Sequence, residues 1–210
     1  TQPLLSLFID FFVGLSTGAT IIISQYWGAG DKKRVSEAVH TALAFALAVG
    51  LLITVVGLPL AEPLLRLMQT PPENMEYSLT FVRIQLIGMT FMMMYNMGAS
   101  ILRSVGDSKR PFYFLIACSL VNIALEVLFV VVLGWGVAGS ASATVIAIAV
   151  SGILVMVTLV RSQEAYHVDL RRIGFSRRML GKVVGIGLPT GIQMSMFSIS
   201  NMVIQTGVNA

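Results

Sequence analysis

Cysteine and charge are what this sequence has least of. One cysteine, Cys118, stands among 210 residues, so no intrachain disulfide framework is possible and a packing role inside its apolar stretch is expected. Charged residues make up 11%, whereas a soluble domain carries about 25%. Hydrophobic residues reach 56%, which places the chain among all-α, polytopic membrane proteins built as a transmembrane helical bundle. The formal net charge of +4 implies no nucleic-acid partner, because Lys and Arg are gathered in short loops between apolar runs, the pattern that orients a chain in a bilayer. No basic leader or small-residue cleavage site opens the sequence at Thr1, so a signal peptide is not expected. The uncharged run from Val183 to Ala210 ends without a cap or basic flank, and the expectation is a fragment.

Six apolar spans fit the ~20 residues needed to cross about 30 Å of hydrocarbon. They cover Leu4–Trp27, Ala38–Leu58, Tyr77–Leu102, Pro111–Leu133, Val137–Val160 and Val183 to the end. All should be helical, since an unclosed sheet leaves backbone groups unpaired in lipid. Lys32, Lys33 and Arg34 follow the first span, Arg103, Lys109 and Arg110 the third, and Arg161, Arg171, Arg172, Arg177, Arg178 and Lys182 the fifth. Loops 28–37, 103–110 and 161–182 are therefore assigned to the cytoplasm. The basic stretch Arg161–Lys182 also carries Leu170, Ile173, Phe175, Met179 and Leu180, a composition suited to lying along anionic headgroups.

Within the fifty residues from Pro111 to Val160 there is one charged side chain, Glu126, and Asn122 precedes it by one helical turn. Residues four apart share a helix face. A carboxylate at membrane depth is costly and ordinarily faces a bundle interior or a water-filled cavity, where desolvation raises its proton affinity. Two readings follow: a coupling residue, or a neutral acid hydrogen-bonded to Asn122 as interhelical glue. Asp10, the other acid inside an apolar span, sits close to one end of it, and structural and functional roles weigh equally there. Asn96, Gln193, Asn201 and Gln205 suit either a substrate path or interhelical hydrogen bonds. Met89, Met92, Met93, Met94 and Met97 form a cluster of adaptable side chains, open to core filling, lipid contact or a polyspecific cavity. His40 and His167 lie near no acid pair or cysteine set and read as interface residues.

Two turns repeat a pattern, Gly30-Asp31-Lys32-Lys33-Arg34 and Gly106-Asp107-Ser108-Lys109-Arg110. Gly stops one helix and Asp stands near the start of the next; a latch between moving helices is the alternative. Gly14-x-x-x-Gly18 and Gly187-x-x-x-Gly191 are small-residue patterns for close helix approach, and Gly139-Ser140-Ala141-Ser142-Ala143 opens the fifth span without bulk. Pro189 removes a backbone donor inside the sixth span and favours a bend.

In order and spacing, Gly28-Ala29-Gly30-Asp31, Leu102-Arg103-Ser104-Val105-Gly106-Asp107-Ser108-Lys109-Arg110-Pro111, Asn122-x-x-x-Glu126, Gly136-Val137-Ala138-Gly139-Ser140-Ala141 and Gly187-Leu188-Pro189-Thr190 resemble the MATE-type multidrug and toxic-compound extrusion transporters. The resemblance implies a partial MATE-like fold, six of an expected twelve helices. Residues 1–162 would be the N-terminal lobe without its first helix, 163–182 the lobe linker, and 183–210 the first helix of the C-terminal lobe. It implies antiport driven by H⁺ or Na⁺, exporting small organic and often cationic compounds across the plasma membrane, bacterial inner membrane for choice. It also implies coupling by Glu126, Asn122 and Thr144, with Na⁺ as a possible ligand of the three and no other cofactor. Asn96, Met93, Gln193 and Asn201 become substrate-path candidates, and a monomer is expected. The family commonly has Asp where Glu126 stands, and Phe197 occupies the neighbourhood where one branch carries an acid in the sixth span, which directs coupling to the N-terminal lobe. A flippase for a lipid-linked precursor is the alternative, although Arg83 is the one basic residue inside the spans that could meet a pyrophosphate. A membrane enzyme is excluded for want of a nucleophile and base, or of a metal cluster, at membrane depth.

Overall fold

The computed structural model describes residues 2–67, 71–169, 171 and 173–208, with side chains described for 13–66, 71–169, 171, 173–197 and 200. Six long helices follow one another: α1 (Gln2–Gly28), α2 (Lys32–Leu67), α3 (Pro72–Ser104), α4 (Lys109–Glu126), α5 (Gly136–Arg161) and α6 (Arg177–Val208). A π-helical segment, Val127–Val132, prolongs α4. Over the described residues, four helical stretches are long and apolar enough to cross a membrane, Lys32–Arg66, Pro72–Ser104, Lys109–Val132 and Gly136–Arg161. The helices run up and down, and the turns at Gly30 and Gly106 and the α5–α6 connection all lie at one end, the basic end.

The two repeated turns share one construction. Gly30 and Gly106 have φ of 71° and 90°, a left-handed conformation that glycine adopts without steric cost. Next, Asp31 Oδ1 accepts from the Arg34 amide and Asp107 Oδ1 from the Arg110 amide, each at 3.1 Å. In each turn the same arginine returns its Nε to the same aspartate, at 3.2 and 3.3 Å. At both turns Gly ends one helix and Asp stands near the start of the next, its carboxylate accepting the amide three residues on.

Helix ends overrun several expected spans. The second span was expected to stop at Leu58, but α2 continues through Pro59 and Pro63 to Leu67. Buried Ala61 and Leu65, one turn apart, hold that last stretch by packing despite the two missing donors. Helix α6 starts at Arg177, so the end of the expected linker is already helical, and the helix runs on through Pro189.

The core is concentrated toward the basic end. It joins Leu15, Ile22 and Ile23 of α1, Val35, Val39 and Leu43 of α2, Met93, Met97, Ile101 and Leu102 of α3, Val155 and Leu159 of α5, Val168 of the connection, and Met179 and Val183 of α6. In α4, Pro111 is the buried residue; this helix stands at the edge, packed chiefly along α5. A closer approach joins α1 and α6. Here the two small-residue patterns meet each other in antiparallel sense: a Cβ on Gly18 would lie 2.5 Å from Val183 O and 2.6 Å from Gly187 N, and one on Gly14 would collide with the backbone of Gly191.

Candidate functional site

Helices α4 and α5 run antiparallel, and four polar residues form two rungs between them. In the first, Asn122 Nδ2 donates to Thr144 Oγ1 at 3.4 Å. In the second, Ser140 Oγ donates to Glu126 Oε1 at 2.9 Å. The rungs are one turn apart on each helix, 122 to 126 and 144 to 140. The Thr144 hydroxyl in turn donates to the Ser140 carbonyl at 3.0 Å, which sets its rotamer and leaves its lone pairs toward Asn122. The structure thus brings Asn122, Glu126 and Thr144 together, with Ser140 as a fourth member absent from the sequence candidates. Its signal was present, since antiparallel helices pairing 122 with 144 must pair 126 with 140, and Ser140 opens the small-residue run.

The surroundings of Glu126 on this chain differ from those of a carboxylate in mid-span. It was expected to face an interior or cavity, yet on this chain it is exposed, because α4 stands at the bundle edge and supplies no second wall around it. Of the two readings, interhelical glue through Asn122 is not the bond seen: the partner of Glu126 is Ser140 of α5. Depth also differs from mid-span: Glu126 lies 17 residues beyond Lys109, about 26 Å of helix from the basic end at 1.5 Å per residue.

Immediately after Glu126 the helix widens. Leu133 N bonds Leu128 O at 2.9 Å, a five-residue step, and Trp135 N bonds Phe129 O at 2.9 Å. Phe129 stacks on Trp135 with centroids 5.0 Å apart, which braces the wide turn against the start of α5. Short π segments of this kind are frequent at functional sites. Nothing in the run Val-Leu-Phe-Val-Val-Val announces it, because a π turn is set by tertiary contacts and not by hydrophobic period.

The donor set is chemically plain: one carboxylate, one amide and two hydroxyls, all oxygen ligands once the amide presents Oδ1. Such a set suits a hard monovalent cation or a proton and not a soft metal. Among the described residues, no group of three His, Cys, Asp or Glu side chains is placed to hold a metal.

The MatE family model matches residues 1–128. This chain belongs to the MatE family. It is 34% identical to the probable multidrug resistance protein YoeA of Bacillus subtilis, over 99% of this chain and 46% of that protein. In structure it is similar to a MATE in complex with MaL6 (TM-score 0.90, 29% identity, 97% of this chain and 46% of that one). It also superposes on the outward-facing conformation of a multidrug resistance MATE family transporter of the MOP superfamily (TM-score 0.88, 29% identity, 95% and 45%). The chain spans about half the length of these relatives. Membership of a transporter family, together with the long apolar helices, makes it an integral membrane protein and not an enzyme.

The other candidates on this MatE chain lie apart from the two rungs. Asn96 Nδ2 donates to Met92 O on its own helix at 3.0 Å. Met93 is 4% exposed and belongs to the core, as do Met97 and the nearby buried Met89, so this edge of the methionine cluster fills the bundle. Gln193 is exposed on α6. The side chains of Asp10, Asn201 and Gln205 lie outside the described residues. Pro189 is followed by Thr190, whose hydroxyl donates to Ile186 O at 2.9 Å.

His40 has a role that its lack of acid or cysteine neighbours did not suggest. It is 8% exposed; Nδ1 lies 2.7 Å from the Ser36 carbonyl and Nε2 accepts the Asp169 amide at 3.0 Å. A carbonyl can only accept and an amide can only donate, so Nδ1 carries the proton and the ring is neutral. Thr41 Oγ1 accepts the Ser176 amide at 3.2 Å and Glu37 accepts the Ser176 hydroxyl. One face of α2, at positions 37, 40 and 41, therefore holds the connection between α5 and α6.

Proposed function

We propose that this chain belongs to a secondary transporter that exports small organic, often cationic, compounds across the plasma membrane while H⁺ or Na⁺ enters. The observation that carries this reading is the pair of rungs joining Asn122 to Thr144 and Glu126 to Ser140, around the single charged side chain between Pro111 and Val160. A proton on Glu126, or Na⁺ held by the Glu126 carboxylate, the Asn122 amide oxygen and the Thr144 hydroxyl, changes the charge facing a cationic compound. Competition for one carboxylate is the simplest form of antiport. The relatives support it, being named as multidrug resistance proteins and MATE transporters. The basic end faces the cytoplasm on this reading, and residues 1–162 and 183–210 belong to two lobes joined by the basic connection.

The test is efflux of a fluorescent organic cation by the full-length protein, with Na⁺ and pH gradients imposed separately, in wild type and Glu126→Gln. Glu126→Gln is expected to abolish gradient-driven efflux at normal abundance. Undiminished coupled efflux in that variant would sink the assignment of Glu126. Drug susceptibility of cells overexpressing the full gene separates this reading from a dedicated flippase, which gives no protection.

A further inference from the structure

We propose that Tyr26, Arg34 and Lys182, with Arg178 beside them, form a discrete site for the phosphate of one anionic phospholipid headgroup, bridging α1 and α2 to α6. The proposal rests on these helices spanning a membrane with the basic end at the headgroups. Three elements converge on one ring. Lys182 Nζ of α6 donates to Tyr26 Oη at 2.6 Å and lies 5.2 Å from the ring centroid. The Arg34 guanidinium of α2 lies 5.6 Å from the same centroid. Arg178 is one turn before Lys182 on α6, hence on the same face.

Two cations sharing one aromatic ring repel each other, and an arrangement of this kind calls for an anion. The carboxylate of Asp31 stands beside them and is engaged by Arg34 through Nε at 3.2 Å, one of the five N–H donors a guanidinium carries. With the phenol oxygen accepting from Lys182, the Tyr26 hydroxyl proton is available as a donor. Ammonium, guanidinium and phenol donors from α6, α2 and α1 then face one another, a set matched to phosphate oxygens. Position selects a lipid as the source. Tyr26 and Trp27 are the half-buried aromatic residues at the end of α1, where a membrane helix meets the headgroups, and exposed Phe175 stands just before α6. The bound headgroup would hold the basic ends of α1, α2 and α6 together.

The experiment measures lipid retention by native mass spectrometry on full-length protein released from nanodiscs of phosphatidylglycerol and phosphatidylcholine. Wild type is expected to keep one phosphatidylglycerol selectively. Lys182→Gln should lower that retention about 5-fold and Arg34→Gln/Lys182→Gln about 30-fold, the scale set by each cation near an anionic surface. Lys33→Gln/Lys109→Gln removes two charges of the same end, Lys33 lining the cleft of Ser36, Glu37 and His40 and Lys109 opening α4, and should leave it unchanged. An equal loss in both double variants shows diffuse attraction and overturns the discrete site, as does full retention in Arg34→Gln/Lys182→Gln. Competition by millimolar glycerol phosphate as effective as by the lipid overturns the lipid as its source. Tyr26→Phe, a change of one hydroxyl, supplies the reading if the double variant is not recovered: a partial loss supports the site and no loss overturns it.

Discussion

The α1–α6 crossing makes the sharpest test of the packing, because α6 carries its own controls. On Gly187→Ala the new Cβ would lie 2.9 Å from both Cα and O of Leu15. Carbon atoms settle at about 3.5–4.0 Å, so the helices must part by about 0.6–1.1 Å. Backbone stands on both sides, and no rotamer change can relieve the contact. A radial gap of that size forfeits roughly a quarter to a half of each dispersion well along the crossing, and overpacking of this kind costs about 1–3 kcal/mol. Gly18→Ala, facing Val183 O at 2.5 Å and Gly187 N at 2.6 Å, should behave alike. On the same helix a Cβ on Gly181 or Gly185 would meet nothing within 4 Å. Alanine there should be neutral or stabilising, by about 0.5–1 kcal/mol, as in any helix interior. Thermal unfolding in detergent is the assay, with about 2–4 °C expected per kcal/mol for 150–250 residues. Gly18→Ala and Gly187→Ala should melt several degrees below Gly181→Ala and Gly185→Ala. Equal melting temperatures across the four variants would refute the close crossing.

Other outcomes follow from residues already placed. Ser140→Ala removes the hydroxyl bonded to Glu126 and should lower gradient-driven efflux several-fold, less than Glu126→Gln, at unchanged abundance. His40→Ala removes the acceptor that α2 offers to the Asp169 amide, at about 1–3 kcal/mol, so trypsin should cut at Arg171 about 5-fold faster or more, while an unchanged rate would show that the connection is held elsewhere. Asp107→Ala loses a helix cap worth about 1 kcal/mol, and a lowered melting temperature checks it.

Much of the fold was legible because it is local. Apolar runs of membrane length marked all six helices, and Gly-Asp-x-Lys-Arg and its counterpart at Gly106 announced two turns whose hydrogen bonds span three residues. Asn122 and Glu126 were paired by helical period alone. What escaped was set by distance along the chain. His40 meets Asp169 across 129 positions and Thr41 meets Ser176 across 135, and no pattern near either end encodes the partner. The two glycine pairs were each visible as sites of close approach, yet nothing in either said that they meet each other. Exposure of Glu126 was missed for a related reason, since burial depends on which helices surround α4 and not on how apolar its own neighbours are.

The fastening of the connection to α2 restricts how α6 can travel. Ser176, tied through its amide to Thr41, directly precedes Arg177, the first residue of α6. The foot of α6 is thus tethered to α2 by one residue, a leash of about 3.8 Å, whereas its far end at Val208 lies at the other end of the 32-residue helix. Sliding by a helical turn, 5.4 Å, exceeds the leash; tilting does not. With 32 residues at 1.5 Å each, a tilt of about 10° swings the far end by about 8 Å but the glycine crossing at Gly187 by only about 3 Å. In kinematic terms α2 is the post, the Thr41–Ser176 bond the pin, and α6 a rod whose travel grows with distance from the basic end.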